Sequence, residues 1–348
     1  MYSGKVIIQA KSPGEKTFKT LVYHRVVVRK SLDEICHSIE VELPVSERKK
    51  VHKHDTVEVR YSHLGLSAGE PNYKQRLVTT VYVDGVADTT GESHNRITVT
   101  GRSPARDIID STWEGDILGS PTLEDIVKEI AGKFGIKVTR MPTNGRETGT
   151  IDSFSWTDES PWTKLIIACD SKGYILTSNQ AGNLYIWEVA KGVRGEGFRL
   201  TEGLNIKRIN YSENGAEQFH EYIAKGGFGE SQKVVDDTCK NKRVLTINMT
   251  DSAISEEDLK RRAQTEMLRR KQKRIQVTVS GWGLTDEQIR KLGNTSGKEI
   301  FWEPNFLIPV NISGAGVSDK LLTAEIECVA DSTTLESTIT LVNREVYT

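Results

Sequence analysis

The stretch that decides the fold lies near the C-terminus and has two parts, GWGLTDEQIRKLGNTSGKEIFWEPNFLIPV at residues 281–310 and LLTAEIECVADSTTLESTITLVNREVY at residues 321–347. Both parts contain runs of β-branched and aromatic residues separated by Gly, Pro, Asn and Asp, a pattern typical of strands joined by turns. Between these runs lies the string Trp302-Glu303-Pro304-Asn305-Phe306. No arrangement typical of a catalytic site occurs in this region. The pattern predicts a closed β structure and favours a role in assembly over a role in catalysis.

The length and the charge of the chain limit the number of domains and the kinds of binding partner. The chain has 348 residues, enough for two or three domains, each with its own core. Its 47 basic and 48 acidic residues give a net charge of −1, so no global charge attracts nucleic acid or acidic membranes. The four cysteines, Cys36, Cys169, Cys239 and Cys328, are far apart and form no CxxC or zinc-type spacing. They are predicted to be buried or free thiols in a reducing compartment.

Targeting signals are absent from the sequence as given. The first residues, MYSGKVIIQAKSPGEK, contain no long apolar segment of the secretory type. No run approaches the roughly 18 apolar residues of a membrane helix. The expectation is a soluble protein made in a cytoplasm, without membrane insertion.

Residues 1–101 are predicted to form a first β domain. Short runs rich in Val, Ile, Thr and Tyr are separated by turn residues, as in a sandwich or barrel, at 5–9, 20–29, 38–43, 56–61, 76–83 and 96–101. Asp84-Gly85, with Val83 and Val86 beside it, predicts a hairpin turn.

Residues 102–200 change to an α/β pattern. Apolar residues repeat at helical spacing over 123–134, with Thr122 as the N-cap. A second helix is predicted to begin at Ser160-Pro161 and to stop at Gly173. A hairpin follows over 174–189, so this segment is predicted to be a small two-helix α/β domain.

Residues 201–348 are predicted to form a second β domain that carries one long basic helix, 255–274. Ser255 and Asp258 resemble a capping box at its start, and Leu259, Ala263, Met267 and Leu268 form a narrow apolar stripe. The predicted fold class is therefore mainly β with α+β character: two β-barrel-like domains flank a small two-helix α/β domain.

The basic helix is the main candidate for a binding surface. Between residues 260 and 274 there is one acidic residue, Glu266, and there are eight basic residues: Lys260, Arg261, Arg262, Arg269, Arg270, Lys271, Lys273 and Arg274. Such a patch can bind phosphates, but the interleaved aromatic residues that stack on bases are absent. A solvated face is one alternative, and contact with an acidic subunit is the interpretation that we favour over DNA binding.

No other group of residues in the sequence indicates a catalytic or metal-binding site. His52 and His54 would share one face of a strand, which provides only half of a metal site, and an exposed strand end is the favoured interpretation. The glycine-rich pieces at 192–197 and 226–229 fit no phosphate-binding motif and predict turns. No nucleophile elbow or metalloprotease motif occurs, so we predict no catalytic residues, no metal and no cofactor.

Several strings, taken in order, resemble the baseplate hub proteins of Mu-like contractile-tailed phages, together with the late-control-gene-D proteins and the hub portion of type VI secretion spike proteins. The strings are VTGRSPARDIID at 99–110, the helix at 123–135, DESPWTKLIIAC at 158–169 with the glycines at 173 and 182, the charged helix leading into Val279-Ser280-Gly281-Trp282, and Trp302-Glu303-Pro304-Asn305. The resemblance spans the whole chain. The loops at 62–73 and 284–298 match no motif of the family.

The resemblance implies a homotrimer with two barrel-like domains per chain. Six barrels in a ring would join a hexameric tail tube protein to a trimeric central spike protein and let DNA pass without reading its sequence. The implied location is the baseplate of a virion tail assembled in the bacterial cytoplasm. The candidate interface residues are Arg261, Arg262, Arg269, Arg270, Trp302 and Asn305, the last two shaping the second barrel, with ordinary core packing as their alternative. Gly101, Arg102, Ser103 and Asp107 would lie at the junction between barrel and insertion.

Two other functional classes remain open at this point. One is a tail-associated hydrolase of the cell wall, which would normally require an added lytic domain. The other is a standalone barrel that binds an oligosaccharide or a nucleic acid.

Overall fold

A computed structural model describes residues 4–347 except for 64–74, 92–94, 141–147, 152, 158, 190–191, 194–197, 213–214, 228, 250–254, 272–273 and 285–300. The chain is mainly β with α+β character, as predicted. No helix in this described part is long and apolar enough to cross a membrane.

The first β region consists of β1 (Gly4–Lys11), β2 (Lys19–Leu21), β3 (Arg25–Ser31), β4 (Ser38–Pro44), β5 (Thr56–His63), β6 (Arg76–Thr90) and β7 (Asn95–Arg102). The predicted strand over 20–29 is two strands, which separate at 22–24. The strands alternate between buried and partly exposed residues, as in β1 and β4, because one face lies on the core. A single 3₁₀ helix, Val45–Lys50, joins β4 to β5.

The predicted hairpin at Asp84-Gly85 is wrong. β6 continues through both residues, and its pairing with β7 shifts register between Val83 and Gly85. The two residues therefore form a β-bulge, in which a glycine accommodates the extra residue and the strand bends without reversing. The local turn signal is the same for both structures, and pairing with β7 decides between them.

The insertion contains α1 (Arg106–Asp110), β8 (Gly115–Ile117), α2 (Leu123–Gly132), β9 (Val138–Arg140), β10 (Phe154–Trp156), α3 (Pro161–Lys172), β11 (Tyr174–Ser178) and β12 (Leu184–Glu188). Both predicted helices are confirmed, and α1 is an additional short one. Thr122 caps α2 in a full capping box with Asp125. Ser160 caps α3, which ends at Gly173 in the left-handed conformation with φ +74°. β11 and β12 form the predicted hairpin.

The last part of the chain contains β13 (Gly192–Val193), β14 (Leu200–Thr201), β15 (Ile206–Ser212), β16 (Glu221–Gly226), β17 (Ser231–Val235), β18 (Val244–Met249), α4 (Glu256–Lys271), β19 (Arg274–Ser280), β20 (Phe306–Ile312), β21 (Val317–Asp331) and β22 (Leu335–Val342). α4 is shorter than the predicted helix: Arg274 begins β19, and Lys273 lies outside the described residues.

The long basic helix packs on a small sheet of its own. β16 pairs antiparallel with β17 and parallel with β18, and α4 covers this sheet with Leu259 and Ala263, which meet Tyr222, Ala224 and Met249. The apolar stripe predicted for the helix is therefore confirmed for Leu259 and Ala263. β17 and β18 were not predicted, because both edge strands alternate polar and apolar residues weakly.

The two β regions form one hydrogen-bonded sheet. Its path runs β15-β19-β22-β21-β3-β4-β7-β6-β5-β1-β2, with β20 also pairing with β21. The long strand β21 makes the connection, since its first half pairs with β20 and its second half pairs with β3 from Ser31 to Arg25. One buried apolar cluster extends across both regions, from Ile8 and Val41 to Trp282 and Ile339. The insertion has a separate cluster around Ile126, Leu165 and Trp156.

Candidate interaction sites

The thiols are placed as the sequence predicted. Cys36, Cys169, Cys239 and Cys328 are free and buried. Burial raises the pKa of Cys36 to about 12 and that of Cys328 to about 11, so both stay protonated near neutral pH and are poor nucleophiles. In the described part of the chain, no three His, Cys, Asp or Glu side chains form a group that could hold a metal.

His52 and His54 are not on a strand. They lie in the turn before β5, and His54 has a left-handed backbone with φ +69°. Asp55 is fully buried and its Oδ2 accepts a hydrogen bond from the backbone N–H of His52 at 2.8 Å. The prediction that both imidazoles share a strand face is wrong, because the Asp55 side chain closes a turn there.

The four arginines predicted for an interface all have acidic partners within the chain. Arg262 and Arg269 contact Asp170 of α3 at 3.5 and 3.4 Å, and Arg262 also lies 3.4 Å from Glu266. Arg270 Nε lies 2.7 Å from Glu266, while Arg261 pairs with Asp258. The side chains remain 18–34% exposed. Arg262 and Arg269 therefore tie α4 to α3, Arg261 and Arg270 pair within α4, and all four keep part of their surface in solvent.

The same helix reaches the end of the described chain. Arg269 stacks on the Tyr347 ring, with 5.0 Å between its guanidinium carbon and the ring centroid. The Tyr347 hydroxyl lies 3.0 Å from both carboxylate oxygens of Asp33, next to β3. Burial is the main reason that the pKa of Tyr347 is raised. Sequence reasoning missed Asp170, Asp33 and Tyr347, and no local pattern marks them.

Trp302 and Asn305 are buried inside the chain. Trp302 is 4% exposed and meets the Phe198 ring edge-on, with 5.1 Å between centroids. Asn305 is 1% exposed, adopts φ +66°, and donates from Nδ2 to the Glu188 carbonyl at 3.0 Å. These contacts hold the loop before β20 against the insertion. Because both side chains are buried, they can affect an interface only by holding this loop in place.

Glu303, between those two residues, joins three parts of the chain. Its Oε1 accepts from Lys30 Nζ of β3 at 2.7 Å and from Gln180 Nε2 of the insertion hairpin at 3.2 Å. The Lys30 side chain is 1% exposed and that of Glu303 is 10% exposed. A signal for Lys30 does exist, since strand alternation places it on the same inward face as Val26 and Val28. A lysine at such a position predicts a buried acidic partner.

The junction string at 99–110 has a structural explanation. A Cβ on Gly101 would lie 2.6 Å from the Tyr82 carbonyl oxygen, so only glycine fits. Arg102 donates to Asp84 of the bulge at 2.8 Å and to Asp110 of α1 at 2.5 Å. Ser103 Oγ lies 2.7 Å from Ser178 Oγ of the insertion hairpin. These contacts fasten the insertion to the first β region.

Gly182 completes that junction. It has φ +82°, and a Cβ there would lie 2.5 Å from Pro104 Cδ. The tip of the β11–β12 hairpin therefore packs directly on the start of the junction string. Two motifs that are almost 80 residues apart in the sequence (182 against 104) are neighbours in space.

Apolar clefts flank the second β region. One, of about 280 Å³, lies between α4 and the strands of the second β region and is lined by Leu268, Ile275, Val317 and Leu341. A second cleft, beside Ile209 and Ile312, has about 370 Å³. Tyr211 and Ala315 line both clefts.

Solved structures with a similar fold include tail proteins and a component of a secretion system. The 43 kDa tail protein of prophage MuSo2 from Shewanella oneidensis matches with a TM-score of 0.75 and 22% identity over 98% of this chain and 99% of its own. A tail protein from Neisseria meningitidis matches with a TM-score of 0.72 and 15% identity over 98% of both chains. A type VI secretion component of Escherichia coli has a TM-score of 0.57 and 11% identity over 95% of this chain and 76% of its own.

At the level of sequence, no protein-family model and no curated protein matches the chain significantly. The likeness to the solved structures nevertheless covers nearly every element, including the insertion and the C-terminal strands. The chain therefore has the fold of Mu-like prophage tail proteins, as its string of motifs predicted.

Proposed function

We propose that the protein is a structural component of a phage or prophage tail, a baseplate hub that joins the tail tube to the central spike. The observation that carries this proposal is the match to two tail proteins over 98% of this chain. A likeness confined to one β domain would fit many functions, because barrels are used widely. A likeness that includes the insertion and its junction is much more restrictive.

The proposed assembly is a homotrimeric ring. Two β regions per chain give six in a trimer, which is the number needed to face a hexameric tube on one side and a trimeric spike on the other. We divide the chain into a first β domain at 1–101, an insertion at 102–200 and a second β domain at 201–348, and β21 and β3 would exchange pairing between the two β domains. DNA would pass through the channel without sequence-specific contact.

Within this ring, Arg261, Arg262, Arg269 and Arg270 are proposed to contact an acidic neighbouring subunit. Their partly exposed side chains support this role, since an arginine can serve two carboxylates at once through its fork of donors. Trp302 and Asn305 would act indirectly by holding the loop before β20 in place.

The mass of the purified protein in solution tests the ring. Sedimentation equilibrium over a wide concentration range is expected to give three times the mass of one chain, and electron microscopy of the same sample should give rings. A monomer at every concentration would contradict the proposal.

A cell-wall hydrolase is the competing function. Release of soluble fragments from purified peptidoglycan, abolished by a single carboxylate substitution, would favour that alternative. Tight binding of an oligosaccharide by a monomer would favour a standalone binding barrel.

A further inference from the structure

In one highly charged segment of the first β region, the acidic side chains are buried and most of the basic side chains are exposed. Residues 47–55 read Glu-Arg-Lys-Lys-Val-His-Lys-His-Asp, with an acid at each end. Both acids point inward: Glu47 is 5% exposed and Asp55 is fully buried. Glu47 accepts a hydrogen bond from the Val22 backbone at 3.2 Å and binds Lys50 at 2.9 Å. The segment therefore presents cations to solvent while its carboxylates serve the fold.

Some of the cations are neutralised and others are not. Arg48 pairs with Asp88 at 3.1 Å, and Lys50 pairs with Glu47. Lys49 and Lys53 are exposed and have no ion pair among the described residues. His52 and His54 are exposed beside them, and His52 Nδ1 lies 3.7 Å from Oδ2 of the buried Asp55. Two exposed lysines and two exposed imidazoles thus lie within six positions of each other.

Two exposed aliphatic side chains lie in the same patch. Val22 is 61% exposed and Val45 is 53% exposed, and the hydrogen bond from the Val22 backbone to Glu47 places Val22 beside the 3₁₀ helix that begins at Val45. The patch therefore spans the segment between β2 and β3 and the 3₁₀ helix that follows β4.

We propose that this patch, the basic rim formed by Val22, Val45, Lys49, His52, Lys53 and His54, is a docking surface for an acidic protein surface. A protein partner fits better than a nucleic acid, because phosphates gain nothing from exposed valines, whereas protein interfaces combine an apolar centre with a charged border. The inference deepens the proposed tail function and rests on it, since it identifies the surface through which the hub meets another tail protein.

Binding measurements with the purified tail tube protein and central spike protein of the same tail test the proposal. Charge reversal in Lys49→Glu/Lys53→Glu and polar substitution in Val22→Asp/Val45→Asp each remove one component of the surface. For one of the two partners, each variant is expected to weaken binding about tenfold or more. The matched control is Lys240→Glu/Lys242→Glu, which reverses two exposed lysines outside the patch and should change the dissociation constant by no more than about twofold.

The outcomes separate this inference from the function on which it rests. If both tail proteins bind the rim variants as tightly as they bind the unaltered trimer, the rim is not the docking surface and the tail function stands. If the protein is a monomer and neither tail protein binds, both proposals fail. A short DNA duplex serves as a further probe: binding that is lost with the lysine variant and kept with the valine variant would make the rim a phosphate-binding site and overturn the proposal. Circular dichroism and the mass in solution show whether each variant is folded and assembled. If the Val22→Asp/Val45→Asp variant does not fold, the result for Lys49→Glu/Lys53→Glu decides whether the rim is the docking surface.

Discussion

At the scale of single residues, the buried pair Lys30–Glu303 has a large effect on stability. Two charges removed from water are tolerated only when they pair and form further hydrogen bonds, and here Gln180 supplies the additional donor. Because the three residues come from β3, the insertion hairpin and the loop before β20, the pair fixes the relative position of these three segments.

Lys30→Met is expected to lower the free energy of unfolding by about 3–5 kcal/mol, since it leaves the Glu303 carboxylate buried without a counter-charge. The matched control is Arg29→Met, which breaks the neighbouring pair with Glu327, where both side chains are 36–40% exposed; a loss of about 1 kcal/mol or less is expected. Urea unfolding measures both. The double variant Lys30→Met/Glu303→Met should recover most of the loss, and equal losses for the two single variants would refute the importance of burial.

His37 makes stability depend on pH. It is buried, its Nδ1 lies 3.1 Å from Thr79 Oγ1, and burial together with the nearby Lys30 charge holds the pKa of His37 well below its ordinary value of 6.5. The unfolded chain therefore binds a proton as the pH falls through about 6.5 while the folded chain does not. Above that pH, His37 does not reduce the free energy of unfolding. Below it, the free energy of unfolding falls progressively as the pH decreases.

Each pH unit below about 6.5 should cost up to about 1.4 kcal/mol from this one group. His37→Gln removes the titration, so its free energy of unfolding should fall less steeply between neutral and mildly acidic pH than that of the unaltered protein. The exposed His24→Gln serves as the control for replacing a histidine by glutamine. Parallel pH profiles for the unaltered protein and His37→Gln would contradict this account.

At the scale of elements, α4 shows how much of a helix can be predicted locally. Ser255 Oγ accepts from the Asp258 backbone at 3.2 Å, as the capping pattern indicated, and Leu259 and Ala263 are buried. What the helix packs on could not be predicted, because β17 and β18 are short, weakly patterned strands that depend on β16 for pairing. The partners of its arginines also come from distant segments.

Changing Arg261, Arg262, Arg269 and Arg270 together to Gln is expected to weaken trimer formation while the chain stays folded, as sedimentation velocity and circular dichroism would show. The same change also removes intramolecular ion pairs. Asp170→Asn/Glu266→Gln is therefore the matched control, because it breaks most of those pairs and keeps the arginines. If the control loses assembly to the same extent, the arginines act only within the chain.

At the scale of the whole molecule, the main feature is continuity between the two β regions. The sequence pattern predicts two β domains that are separated by an insertion. In the structure, β3 pairs with β21, for example Val28 with Cys328, and this pairing joins the two β regions into one sheet. The separation in sequence is 300 residues for that pair, so no local pattern can encode it. Such non-local pairing depends on the burial of one face of each strand and on the register that this burial imposes.

The sequence by itself determined the fold class, the two capped helices of the insertion, the hairpin that follows them and the burial of the cysteines. Each of these depends on local periodicity, capping chemistry or residue type, which act over a few residues. The tertiary structure alone decided that Asp84-Gly85 bulges and does not turn, that Trp302 and Asn305 face inward, and that the acids of residues 47–55 are buried while their cations are exposed. These outcomes depend on which distant backbone or side chain satisfies a polar group, and that partner exists only once the chain has folded.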